Sequence, residues 1–352
     1  MSQSRSVEGV CVLGAGGFLG SHLIQALLEQ TRLPLEAVDT TFQKLEVHSP
    51  RLRRTQASIR DPGVLERVIR ENGVIVSTTA LCNPSWYNTR PVAVIEANFS
   101  ELVPLVRLCA SQRRWLIQFS SCEVYGLGVK DPFGAALPMN EEASPFVLGP
   151  IHSERWTYAC AKQLLERLIF AHVKHHGLRA TVVRPFNVIG PRMDFLPGVD
   201  GEGIPRVLAC FVHALLQKEP LKLVDGGRRK RTFVSVHEFV DAVVRMIDRP
   251  AVAQGQIFNV GNPANNVAIA ELARLMVSAY RELTGITRKN PFQEVSAMEF
   301  YGPGYEDTEE RIPDIDKARR LLDWHPTVTL QQMLPIILGD YLARYASQVS
   351  RA

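Results

Sequence analysis

Tyr158 and Lys162 stand one helical turn apart in TYACAKQLLERL, so both side chains fall on one face of a helix. A lysine ammonium beside a phenol, with a second positive charge nearby, lowers the phenol's pKa and makes it a base able to take an alcohol's proton. Upstream, FSSCEVYG sets a hydroxyl, a thiol and a carboxylate in a row as Ser121, Cys122 and Glu123. Each can hold or move a proton. Ser121 follows the apolar run WLIQF, and at a strand end beside that helix it can hydrogen-bond the same phenol oxygen. A tyrosine and a lysine at this spacing occur by chance on many helices, so the pair acquires meaning only from the frame that holds it.

That frame is a regular alternation. GVCVLGAGGFLGSHLIQALLEQ reads as a short buried strand, a glycine turn and an amphipathic helix. LEAVDT is a second strand, ending at Asp39; LERVIREN (helix), VIVSTTA (strand), VIEANFSELVPLVRLCAS (helix) and WLIQFSS (strand) continue it. The Tyr158 helix and the strand ATVVRPFNVIG complete it. Such alternation predicts an α/β fold, a doubly wound parallel sheet covered on both faces. Residues 1–185 are expected to form a dinucleotide-binding Rossmann domain, with a return over 232–250 (TFVSVHEFVDAVVRMI). Residues 186–346, richer in Pro and Gly at the outset, are expected to form mainly a smaller C-terminal α/β lobe for substrate. Thr329-Leu-Gln-Gln332 has capping-box form and predicts the start of a last helix.

Gly14-Ala-Gly16-Gly17-Phe18-Leu-Gly20 opens the first helix directly after the first strand. Gly14 suits the tight turn, Gly17 lets a pyrophosphate approach the backbone, and Gly20 lets helix and strand pack closely. Asp39 ends the next strand, where a carboxylate accepts from a ribose diol and repels a 2′-phosphate, favouring NAD over NADP. A bound nicotinamide would be the second positive charge beside Tyr158. The alternative is a glycine turn of another α/β protein, with Asp39 solvated.

Farther along, LKLVDGGRRKRTFV carries Lys222, Arg228, Arg229, Lys230 and Arg231 around a Gly-Gly turn, and GPRMD adds Arg192. Such groups suit a diphosphate, although a solvated basic loop or a nucleic-acid patch has the same composition. The formal net charge of +4 is too small to indicate a nucleic-acid binder. At 46% hydrophobic and 22% charged residues the composition is that of a soluble globular chain. Six scattered cysteines lack CxxC or metal-ligand spacing, so no metal is expected and the thiols should be reduced, in a cytoplasmic protein. The N-terminal stretch shows no apolar segment of signal-peptide length before the glycine turn, and no apolar run reaches membrane-spanning length, so no membrane partner is expected.

The glycine turn, Ser121 and the Tyr158/Lys162 pair together resemble the short-chain dehydrogenase/reductase superfamily in its extended form, and Asn98 and Trp324-His-Pro326 fit the same pattern. SSCEVYG, ERWTYACAKQLLERL, VRPFNVIGPRMDF, IFNVGNP and EFYGPGYEDTEERIPD are similar to the UDP-glucuronic acid decarboxylases and to the decarboxylating domain of the bifunctional polymyxin-resistance enzyme. With LCNPSWYNTRP and PRMDFLPGVDGEGIPRVLACF, the chain most resembles UDP-apiose/UDP-xylose synthases over roughly residues 9 to 340.

That resemblance implies oxidation at C4 of a UDP-glucuronic acid with NAD, Tyr158 acting as base beside Lys162 and Ser121, then decarboxylation of the resulting β-keto acid. It implies an acid/base role for Glu123, and for Arg311 a role as proton donor or carboxylate contact. Tyr87, Arg155, Asn187, Lys222, Arg231 and Tyr305 become sugar-nucleotide contacts, Arg155 lying also among the catalytic set. Asn98, Ser58 and Ile59 fall on the cofactor side, with Asp61 able to substitute where the family often carries a carboxylate or amide at Ser58. Cys122 and Cys82 match two cysteines of the apiose-forming branch, where a thiol could shuttle protons at C2 and C3, on the ring edge away from Tyr158; the alternative is that both are small buried fillers. The family also implies a homodimer through helices 92–112 and 156–174. The segment RRKRTF is more basic than the branch's usual loop. Other readings are a decarboxylase without rearrangement, a C4 epimerase or dehydratase, and a non-catalytic NAD-binding interaction protein.

Overall fold

The computed structural model of the chain describes residues 9–201, 203–301 and 308–349. Strand β1 (Val10–Leu13) shows how the sheet is built: Val10 and Val12 join one core cluster, Cys11 and Leu13 the other. Both faces of a central parallel strand must be apolar, and this one is buried throughout. Each fully buried aliphatic side chain contributes roughly 1.5–3 kcal/mol.

The glycine turn leads into α1 (Phe18–Gln30), then β2 (Leu35–Asp39), β3 (Leu52–Gln56), α2 (Pro62–Glu71) and β4 (Val74–Ser77). There follow α3 (Pro91–Asn98), α4 (Val103–Ser111), β5 (Trp115–Phe119), α5 (Thr157–His176) and β6 (Arg179–Pro185). Gly14 takes φ +82°, where a side chain would be strained. A Cβ on Gly20 would stand 2.2 Å from the Gly14 carbonyl oxygen, so only glycine lets α1 sit this close to the turn.

Among the described residues seven strands form the main sheet, in the order Ile257–Val260, β6, β5, β4, β1, β2, β3, with every pairing parallel. It is the doubly wound arrangement that the alternation implied. One strand carries no period of its own, and one local reading differs. LRRTQ (β3) shows no apolar alternation because it is an edge strand, whose Arg53 pairs, like Arg67 of α2, with the buried Glu36 of β2. The stretch read as one helix from Val94 to Ser111 breaks at Phe99 and restarts at Val103. Pro104 explains the restart, since it has no N–H to donate and would clash with the carbonyl one turn earlier.

In the second half, α6 (Val207–Leu216) lies beside the cavity described below, and α7 (Val236–Asp248) packs against α1. Strand Ile257–Val260 pairs with β6, Phe258 opposite Val183. The chain therefore still contributes to the main sheet beyond residue 250. Smaller ladders join Leu221–Val224 to Phe292–Val295 and Lys230–Thr232 to Asn266–Ala268. Helix Leu330–Val349 begins with a reciprocal cap: Thr329 N–H donates to Gln332 Oε1 at 2.8 Å, and Gln332 N–H to Thr329 Oγ1 at 3.3 Å. No helix among the described residues is long and apolar enough to cross a membrane.

Candidate active site

Beyond the carboxyl ends of the parallel strands lies a cavity of about 930 Å³. It runs from the glycine turn past Tyr158 to the 219–231 segment. At its first end, Gly14, Gly17, Phe18 and Gly20 line the wall. A Cβ on Gly17 would meet only the Gly14 carbonyl oxygen at 3.4 Å, so its open side faces the cavity as a cradle a side chain would fill. No side chain caps α1, which leaves its first N–H groups to a ligand. Asp39 accepts from Gly16 N–H at 2.9 Å and from Thr40 N–H at 2.7 Å, an orientation that ties the carboxylate to the turn. An uncapped helix start, an open glycine and an adjacent carboxylate fit the pyrophosphate and ribose of NAD.

At the centre stands Tyr158, buried, its ring stacked on that of Tyr87 at 5.1 Å and 6°. Tyr87 is pinned in turn by its hydroxyl, which donates to the Cys82 carbonyl at 3.3 Å, and by the Arg155 guanidinium 5.7 Å from its ring centroid. Burial raises the Tyr158 phenol's pKa, Cys82 pushes it the same way, and a hydrogen bond with Ser121 opposes them. Lys162 donates to the Phe119 carbonyl at 3.2 Å and lies 5.9 Å from the phenol's centroid. Burial lowers its own pKa to about 8. The lowering expected of the phenol was drawn for lysine and nicotinamide together, and in the protein alone the balance runs the other way. Desolvation disfavours the charged form of both groups, and only positive charge arriving with a ligand can reverse it for the phenol.

Neither cysteine ends a strand. Cys82 lies in the loop beyond β4, and Cys122 begins a short 3-10 turn, Cys122–Tyr125, capped by Ser121. Both line the cavity, but Cys82 is exposed and Cys122 buried. Two buried fillers is therefore the wrong description of the pair. Cys82 also acts electrostatically on the Tyr158 phenol, raising its pKa. Burial raises the Cys122 thiol's pKa, while Arg311, which hydrogen-bonds it, works the other way.

Beside Cys122, the Glu123 carboxylate is held by two buried arginines. Arg311 donates through Nη1 at 2.5 Å and Nη2 at 3.0 Å, and Arg155 through Nη2 at 2.9 Å. Arg311 is 2% exposed, so this is no surface salt bridge. Behind the turn, Tyr125 donates to Asn259 and accepts from Arg184, which grips Glu166 of α5 through two bonds at 3.0 and 2.6 Å. That network ties the turn bearing Cys122 and Glu123 to the helix bearing Tyr158 and Lys162.

At the far end, Lys222, Arg229, Arg231 and Asn187 line the cavity with Phe300 and Tyr301. Arg228 and Lys230, alternating with them, are exposed and lie 3.8 Å from Glu294 and 3.4 Å from Glu310. The basic run is thus divided between cavity and surface. Other residues expected in the site stand elsewhere. Arg192 does not line the cavity; its guanidinium donates to the Lys44 carbonyl, so its assignment to a diphosphate is corrected. Asn98 is fully buried and donates to the Leu81 carbonyl at 3.0 Å, holding the Cys82 loop. Ser58 and Ile59 do not line the cavity; the Ser58 hydroxyl accepts from Arg60 N–H, and Ile59 packs on the core. Asp61 caps α2 by accepting from Gly63 and Val64, which removes it as a substitute for Ser58. Tyr305 lies outside the described residues. The sequence reading missed Lys44, and also Asp194 and Arg206, which form a two-bond ion pair on the cavity wall. A charged residue in an otherwise loop-like stretch was their only signal.

Residues 10–261 match the model of the NAD dependent epimerase/dehydratase family. UDP-D-apiose/UDP-D-xylose synthase 1 of Arabidopsis thaliana is 42% identical, over 97% of this chain and 93% of its own length. The UDP-D-apiose/UDP-D-xylose synthase of Oryza sativa subsp. japonica is 43% identical, over 97% and 91%. Among solved structures, the PbgP3 protein of Burkholderia pseudomallei superposes with TM-score 0.83 at 29% identity, covering 98% of each chain. The UDP-glucuronic acid 4-epimerase of Bacillus cereus, solved with UDP-glucuronic acid and NAD, shares the fold at TM-score 0.76 and 22% identity, over 96% of this chain and all of its own. The chain belongs to the NAD dependent epimerase/dehydratase family, the extended short-chain dehydrogenases, in the branch of the UDP-apiose/UDP-xylose synthases.

Proposed function

We propose that this chain converts UDP-glucuronic acid into UDP-apiose, with UDP-xylose as co-product. Bound NAD supplies the acceptor for oxidation at C4 and the donor for the closing reduction. Tyr158 takes the C4 hydroxyl proton, with Ser121 hydrogen-bonded to its oxygen and Lys162 supporting the charge. The ketone so formed lies β to the carboxylate and accepts the electrons freed as carbon dioxide leaves. Arg311 and Arg155 both hydrogen-bond Glu123, and two guanidinium charges against one carboxylate leave a net positive end that can draw in and orient the sugar's carboxylate. Its loss is driven by the adjacent ketone, in a site whose Tyr158, Cys122 and Arg311 are buried from water. Glu123 then serves as the proton-transfer group near C5.

Apiose requires more: the C2–C3 bond opens by retro-aldol cleavage and closes again with one carbon outside the ring. The observation that carries this half of the reading is the pair of thiols, Cys82 and Cys122, on the wall that also bears Tyr158. Lys222, Arg229, Arg231, Asn187 and Tyr87 hold the nucleotide sugar, and Gly14, Gly16, Gly17, Phe18, Gly20 and Asp39 the NAD. We assign the carbon dioxide step to the lyases, the chain to the cytoplasm, and residues 186–346 mainly to the sugar-nucleotide lobe. Exposed Val92, Ile95 and Leu164 on α3 and α5 support a homodimer through those helices. The test is incubation with UDP-glucuronate and NAD, with products identified by NMR. UDP-apiose with UDP-xylose is expected; UDP-xylose or the keto-pentose alone rejects the rearrangement, and an intact carboxylate rejects the whole reading.

A further inference from the structure

The side chains of Lys44 and Arg192 each bond the other's segment across a long stretch of chain, Lys44 to Met193 and Arg192 to Lys44. The Lys44 ammonium donates to the Met193 carbonyl at 3.0 Å, and the Arg192 guanidinium donates to the Lys44 carbonyl at 2.7 Å. The two bonds are reciprocal and join the loop after β2 to the segment before α6. Arg192 is further fixed by His22 Nε2 of α1 at 3.3 Å, by Glu46 at 3.5 Å and, through its backbone N–H, by Asp340 at 2.9 Å. Its φ of +61° is a conformation that a non-glycine residue adopts only when its surroundings impose it. Lys44 lines the same cavity as Gly17 and Phe18, and Met193, Asp194 and Arg206 line it too. The Arg206 guanidinium stands 6.0 Å from the Phe18 ring centroid. The junction therefore lies beside α1 and the glycine turn assigned to the dinucleotide.

We propose that Lys44 and Arg192 form a clasp that retains NAD in its site between turnovers, which makes them positioning residues for the cofactor. The inference rests on the reaction proposed above, which is redox-neutral overall: electrons taken at C4 return to the same sugar. A reduced cofactor that escaped midway would strand a keto sugar, so retention is of direct use, and no exchange is needed to complete a cycle. Because the contacts are side chain to backbone in both directions, the clasp opens only when both give way together. Closing over an occupied site, it slows departure and arrival alike. A plain contact between Lys44 and the dinucleotide would slow departure only.

The experiment uses the full chain loaded with NADH and no sugar. Loss of protein-bound NADH fluorescence after excess NAD gives the release rate, and stopped-flow mixing of cofactor-free protein with NADH gives uptake. Lys44→Met keeps the length of the side chain and removes its donor; Arg192→Lys keeps the charge and removes the two-armed reach. Each is expected to speed both release and uptake at least tenfold, the weight of about 1.4 kcal/mol and of one charge-assisted hydrogen bond. Should Arg192→Lys fail to fold, Lys44→Met carries the test alone. Unchanged rates overturn the clasp, and so does faster release with unaltered uptake. Since no sugar is present, the result stands apart from product identity: wild-type protein that makes no apiose defeats the proposed reaction, not the clasp.

Discussion

Replacing Cys122 with serine is expected to separate the two halves of the proposed reaction. Cys122 is 4% exposed at the head of the 3-10 turn, beside Glu123 and hydrogen-bonded to Arg311. A serine hydroxyl occupies slightly less space and can keep that hydrogen bond, so the cost in stability is about 1 kcal/mol or less. Its acidity is far lower: a free thiol titrates near 8.5, and although burial raises the Cys122 thiol against the opposing pull of Arg311, serine does not ionise in the working range at all. A positioned acid–base group contributes roughly 10²- to 10⁴-fold, which is about 3–5 kcal/mol of barrier at 1.36 kcal/mol per tenfold. UDP-apiose formation should fall by that factor, while carbon dioxide release, which uses Tyr158 and Glu123, changes less than threefold. The assay is time-resolved NMR of labelled UDP-glucuronate, counting carbon dioxide, apiose and xylose in one tube. The ratio of products is an internal measure and does not depend on how much variant is folded. Equal loss of all products would refute the reasoning, and so would an unchanged apiose fraction.

Other perturbations test the site's construction. Burial depresses Lys162 from 10.5 to about 8. The unfolded chain therefore binds the extra proton between those values, the penalty being full below pH 8 and relieved as pH rises towards 10.5. Lys162→Met should raise unfolding free energy at pH 7 by up to about 3 kcal/mol, less the lost bond to Phe119. The gain over wild type should fade by about pH 10.5 in denaturant titrations, while turnover is abolished. Arg184→Met leaves the Glu166 carboxylate buried without its guanidinium and should cost roughly 3–5 kcal/mol by urea denaturation. It should lower turnover too, because Arg184 also supports Tyr125. Asp39→Asn keeps one oxygen to accept from the Gly16 or Thr40 N–H but removes the charge facing a 2′-phosphate. The ratio of NAD to NADP affinity, measured by fluorescence titration, should fall at least tenfold.

Much of this site was legible because its parts are local. The glycine turn, the one-turn spacing of Tyr158 and Lys162, and the Ser121-Cys122-Glu123 row are short-range patterns, read without knowing what lies opposite. The edge strand Leu52–Gln56 was not legible, since its polar side chains answer to Glu36 on a neighbouring strand. Arg192 shows the limit most clearly. Beside Met193-Asp194 its guanidinium reads as a ligand contact, yet its partners are the Lys44 carbonyl and His22, more than a hundred residues away. Asn98 has nearer partners, its amide N–H groups donating to the carbonyls of Leu81, 17 residues back, and of Val94, 4 residues back.

What the sequence determined by itself was the set of chemical groups and the frame that presents them: apolar strands alternating with amphipathic helices, glycines where backbones touch, and a Tyr/Lys pair on one helical face. Those follow from periods of two and 3.6 residues and from the steric size of a side chain. What only tertiary structure decided was which charges meet. Glu123 is paired with Arg155 and Arg311, the basic run is shared between cavity and surface, and Tyr158 and Lys162 are desolvated together. Burial and distance set ionisation and pairing, and both are properties of neighbours that the order of residues along a chain does not reveal.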